Sequence, residues 1–93
     1  MVVGIVRIEL HIPAAGSLKD KRQVVRSLKD RLREHTRAAV AEVDHHELWQ
    51  RCALGVAVVA ADGAQVREQL DAVRRLVEQV WAAQVTDWQE RIE

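Results

Sequence analysis

The spacing of apolar residues changes along this chain in a fixed rhythm: every second position, then every third or fourth, then every second through two consecutive stretches, then the same change again. A period of two marks a strand and one of about 3.6 marks a helix. The chain therefore reads β-α-β-β-α-β, and few folds accommodate that order within 93 residues. In the first stretch, Gly4, Val6, Ile8, Leu10 and Ile12 share one face, and Val3, Ile5, Arg7, Glu9 and His11 share the other. Pro13 and Gly16 stop that strand. Ser17 then supplies a helix cap, with Asp20 three residues on. Leu18, Lys21, Val25, Leu28 and Leu32 recur at helical spacing, widened by Val24, and predict a helix over about 17–35.

A Val- and Ala-rich stretch over 36–44 predicts a second strand, and polar turn residues separate it from a third over 48–60. The third carries Leu48, Cys52, Leu54, Val56 and Val58 on one face and Trp49, Arg51, Ala53, Gly55, Ala57 and Val59 on the other. Apolar character on both faces suits a central strand or one whose open face meets a partner. Asp62 and Gln65 cap a second helix whose stripe is Val66, Leu70, Val73, Val77 and Val80, running to about 84. A weak pattern over 85–92 suits an edge strand. Two helices, each following an apolar strand, cover one face of a four-stranded antiparallel sheet, and right-handed crossovers put the first and third strands in its middle. The expected architecture is one α+β domain over 1–93, the ferredoxin-like sandwich.

Composition narrows function more by exclusion than by assignment. One cysteine permits no intramolecular disulfide and no Cys-rich metal site, and with no export signal or membrane-length apolar run it predicts a cytoplasmic protein. The four glycines stand singly, so no phosphate-cradling loop forms and no nucleotide fingerprint is present. No cofactor is implied. Cys52, on the inward face of a central strand, reads as a small buried hydrophobe. The densest polar cluster is Glu42, Asp44, His45, His46 and Glu47, with Glu9 and His11 at the end of the first strand nearby. Carboxylates and imidazoles in a turn can share a metal, but this spacing fits no established zinc pattern, and a polar hairpin is the simpler reading. No metal is assigned to it, and an enzyme built on Glu42, Asp44 and His45 is the weakest alternative.

Net charge is zero, yet residues 17–37 hold eight basic and three acidic side chains, so the chain is polarised. The first helix buries its apolar stripe and leaves Lys19, Arg22, Arg26, Lys29 and Arg33 for solvent, a row that can meet the phosphates of structured RNA. The open sheet face offers a second partner surface through Val3, Ile5, Val40, Trp49, Ala53, Ala57 and Val59, which predicts a homodimer.

Three stretches also carry a resemblance: Ile8-Glu9-Leu10-His11-Ile12-Pro13, then Ser17-Leu18-Lys19-Asp20-Lys21-Arg22, and Ala41-Glu42-Val43-Asp44-His45-His46-Glu47-Leu48-Trp49-Gln50-Arg51. Together the chain resembles the YlxP-like family of small bacterial proteins of unknown function. That resemblance implies a ferredoxin-like fold and no catalytic residues. The family's genes often lie among those for translation initiation and ribosome maturation, which implies an RNA- or ribosome-linked role by association. Glu9, His11, Lys21, Arg22, Glu42, Asp44, Trp49 and Arg51 are the family-like residues least explained by a simple core. A cross-strand charge network of Arg7, Glu9, Glu42 and Arg51 is the structural account of several of them.

Overall fold

Alternation in the first stretch becomes strand β1, Val2–His11, whose even-numbered residues from Gly4 onward are buried. The computed structural model describes residues 1–93. Helix α1, Leu18–His35, starts where Ser17 Oγ accepts from the Asp20 amide at 3.1 Å. Strands β2, Ala39–Asp44, and β3, Arg51–Ala60, follow. Helix α2, Gly63–Glu78, is capped by Asp62, and strand β4, Gln84–Ile92, completes the chain. The strands form one antiparallel sheet in the order β2-β3-β1-β4. This is the expected ferredoxin-like arrangement. Helix α2 ends at Glu78, nearly two turns short of the expected end at about 84, and Val80 packs on the core from the turn that follows.

The core lies between the helices and one sheet face. Ile8, Leu10, Leu54, Val58, Leu28, Leu32, Val66 and Leu70 are almost wholly buried, each contributing about 1.5–3 kcal/mol. Gly4 lets α2 approach the sheet: a methyl group there would collide with Val66 and Leu70. Gly4→Ala is expected to cost about 1–3 kcal/mol through overpacking. Urea unfolding measures it, and an unchanged midpoint would show that α2 shifts freely.

One irregularity positions the polar groups. In β2, Val40 pairs with Val56 and Glu42 with Leu54, then the register slips so that Asp44 pairs with Ala53. Glu42 keeps the helix-side facing of Val40, and the bulge after it turns Asp44 toward the open face. Val40, opposite the buried Val56 in the regular part of the ladder, is buried on the helix side, which corrects its expected place on the open face.

Candidate functional site

Three polar features stand out, and each follows from where an element places its side chains. The first is the outer flank of α1. At 3.6 residues per turn, Lys19, Arg22, Arg26, Lys29 and Arg33 fall within an arc of about 80° and run for about 21 Å. Lys29 is half-buried and the other four are exposed. No carboxylate lies within ion-pair distance of any of the five. Arg33 Nη2 donates to the Val40 carbonyl at 2.9 Å, so four are left without a protein partner. The acidic residues of the helix, Asp20, Asp30 and Glu34, lie outside that arc.

The second feature covers the loop end of the open sheet face. Glu9 Oε1 accepts from His45 Nε2 at 2.9 Å and from Arg51 Nη2 at 3.2 Å. Arg7 Nη2 lies 3.2 Å from Glu9 Oε2 and donates to Asp44 Oδ2 at 3.1 Å. The Arg7–Glu9 contact is an ion pair without hydrogen-bond geometry, so Oε2 is buried with no hydrogen-bond donor. Burial pushes the Glu9 carboxyl up, but His45, Arg7 and Arg51 outweigh it and hold the group below its ordinary range. Asp44 is held low as well, by the His45 backbone amide and then by Arg7. Both carboxylates are thus anionic and matched to cations, an arrangement suited to closing a surface rather than to proton transfer.

The third feature is Lys21, the one charged side chain fully inside the protein. It sits on the buried face of α1 among Val25, Leu28 and Leu32. Its Nζ donates to the carbonyls of His45 at 2.8 Å and His46 at 3.0 Å, with a longer contact to Arg51 at 3.4 Å. Glu42 Oε2 lies 3.1 Å from the ammonium as an ion-pair partner, without hydrogen-bond geometry. Lys21 therefore clamps the loop between β2 and β3 to the start of α1. Gln50 closes it from the other side, donating to the Pro13 and Ala15 carbonyls at 3.0 and 3.2 Å. Within the loop His45 takes a positive φ of 63°, stabilised as Asp44 Oδ1 accepts its amide at 2.8 Å.

Residues 3–90 match the family described as "Protein of unknown function (DUF503)". The chain belongs to this family. A relative, the Uncharacterized protein YlxP of Bacillus subtilis, is 29% identical over 77 residues, covering 83% of this chain and 84% of the relative. Among solved structures, the de novo designed protein Foldit4 is similar at a TM-score of 0.56 and 13% identity, covering 99% of this chain and 94% of the design. A second de novo design, LFR1 1 with ferredoxin fold, gives 0.53 at 11% identity, covering 100% of this chain and 84% of the design. These two likenesses speak for the fold alone.

Within this DUF503 chain the expected polar cluster is split. Asp44 and His45 join Glu9 on the open face, whereas Glu42 lies across the sheet with Lys21. His11 stays apart, its Nδ1 3.4 Å from Gln84 Oε1. No three His, Cys, Asp or Glu side chains converge as metal ligands. The charge network forms around Arg7, Glu9 and Arg51 as expected, with Asp44 and His45 in the place expected for Glu42. Ala53 corrects the open-face list: it is on that face but wholly buried, between Glu9 and Asp44 and beneath their ion pairs. Trp49 belongs to the loop before β3, and 54% of it is exposed. Val3, Ile5, Ala57 and Val59 do line the uncovered part of the face. Cys52 is buried, and burial first, then Glu42, pushes its thiol up to about 12. The clamp role of Lys21 was not read from the sequence, although a lysine inside an apolar stripe is its signal. No helix is long and apolar enough to cross a membrane.

Proposed function

We propose that this protein is a non-enzymatic binding module that lays the basic flank of α1 along the phosphate backbone of structured RNA, with a ribosomal particle as the natural setting. One observation carries the reading: five cations share a single stripe without any carboxylate partner. Unpaired, aligned side chains cost little to redirect toward phosphates, whereas cations already paired would first have to break their bridges. The stripe holds no aromatic residue, so contact there follows charge and backbone shape rather than base sequence. Fluorescence anisotropy with a folded 20-bp RNA hairpin tests it. With four or five phosphate contacts, affinity should fall roughly 150- to 500-fold between 50 and 200 mM salt. Absence of binding at 50 mM, or binding indifferent to salt, counts against it.

A second reading rests on the uncovered part of the open face. There Ile5, Ala39, Ala41, Val43 and Ala57 line a shallow groove of about 710 Å³. Val43 packs over Gly55, and Val59 beside the groove is 55% exposed. An apolar trough of this kind suits a second copy of the chain. On this reading sedimentation equilibrium at micromolar concentration gives about twice the 10.6 kDa mass, and Ala57→Arg returns it to the monomer. A wild-type monomer removes the reading.

A further inference from the structure

The loop between β2 and β3 is held in one conformation by groups that are costly to place. A buried ammonium, Lys21 Nζ, serves its carbonyls. Gln50 Nε2 ties it to the Pro13 and Ala15 carbonyls, and the Ile12 amide donates to the Gln50 carbonyl at 2.8 Å. His45 adopts a left-handed backbone, and the Leu48 amide closes the turn on the His45 carbonyl at 3.1 Å. Yet the tip of this rigid loop presents Leu48 and Trp49 to solvent, 44% and 54% exposed. Folding gains little from such an arrangement, because the most apolar side chains of the loop are the ones left wet. Preorganisation followed by exposure is the physical mark of a binding anchor.

The surroundings identify what the anchor takes. Trp49 borders an open cavity of about 620 Å³ whose other walls are His11, Glu47, Leu48, Gln50 and Arg51. A flat indole face beside a guanidinium and an imidazole suits a planar ring attached to a phosphate chain. Glu47 at the rim can accept from an exocyclic amino group. Lys21 ties this loop to the first turn of α1, so the cavity keeps a fixed position relative to Lys19 and Arg22 at the start of the basic stripe. Trp88 is not equivalent, since it is half-buried with Arg74 stacked 4.8 Å from its ring centroid.

We infer that Trp49 stacks on an unpaired base extruded from the RNA that α1 holds. This rests on the reading of α1 above and adds to it a target, a duplex interrupted by a bulge or junction. Two RNA probes separate the two claims: a continuous 20-bp hairpin and the same hairpin with a three-nucleotide bulge. Wild type should bind the bulged RNA about 5- to 150-fold more tightly. Trp49→Ala should bind both RNAs equally with an unchanged salt dependence, and Trp49→Phe should keep most of the preference. In a W81F/W88F background, bulged RNA should quench the Trp49 emission and paired RNA should not. Equal wild-type affinity for the two RNAs overturns the base site while leaving the α1 reading intact. Loss in Trp49→Ala of a protein contact, with the RNA preference unchanged, also overturns it and makes the loop a protein anchor. Failure of both RNAs to bind removes both claims. Trp49 lies outside the core, so an unchanged circular dichroism spectrum confirms that each variant is folded.

Discussion

Replacing Lys21 with alanine is expected to lower the unfolding free energy by about 3–5 kcal/mol, the range for removing one member of a buried ion pair. The ammonium is fully buried, and Glu42, its only carboxylate partner, is mostly so. Its loss strands the Glu42 carboxylate against the core, leaves the His46 carbonyl without its donor and leaves the His45 carbonyl with the Leu48 amide alone. In a domain of this size such a loss lowers Tm by at least about 12 °C. The Lys21→Met, Glu42→Leu pair supplies the control. Replacing both charges by apolar groups of similar volume removes the stranded carboxylate, so most of the stability should return. The loop has still lost its clamp, and its amide hydrogens from His45 to Gln50 should exchange faster in both variants. Chemical denaturation with hydrogen exchange distinguishes these terms. A change below about 1 kcal/mol in Lys21→Ala would mean that water replaces the ammonium and that the clamp is dispensable.

Reversing Arg22, Arg26 and Lys29 to glutamate is expected to reduce affinity for the RNA hairpin a thousandfold or more at 50 mM salt. Three charge-assisted contacts of roughly 1.5 kcal/mol or more each are lost, and three repulsions replace them. The slope of log affinity against log salt should become shallower by about 3, one per lost phosphate contact. Stability should barely move, since none of the three side chains makes an ion pair and two are exposed. A control carrying Arg31→Glu, Arg67→Glu and Arg75→Glu makes the same change in net charge away from the stripe. Those three side chains are exposed as well. If binding follows the stripe, the control loses only the modest long-range attraction. Equal losses in the two variants would show that overall charge, not the alignment on α1, governs the interaction.

How far the sequence foretells all this depends on the range of each interaction. The stripe on α1 is legible because the spacing of Lys19, Arg22, Arg26, Lys29 and Arg33 within a single helix settles their common face. Both caps are legible for the same reason: Ser17 with Asp20, and Asp62 with Gln65, act within one turn. The early end of α2 was harder to see, because Val80 keeps its contact with the core after the helical backbone has stopped. Lys21 was visible as an oddity and not as a clamp, since its acceptors lie 24 and 25 residues away.

Local periodicity, caps and turn residues in the sequence by themselves determined the six elements and their order, and with the handedness of crossovers the sheet that joins them. Tertiary structure decided which polar residues meet. Glu42 and Asp44 stand two positions apart, and simple alternation puts them on one face; the slip in pairing with β3 sends them to opposite sides of the sheet. Glu42 then neutralises Lys21 under the helices, while Asp44 joins Arg7, Glu9 and His45 above Ala53. The physical reason is that a strand's facing depends on register with its neighbour. Register is set by packing between segments far apart in the chain, and no local pattern in β2 records it.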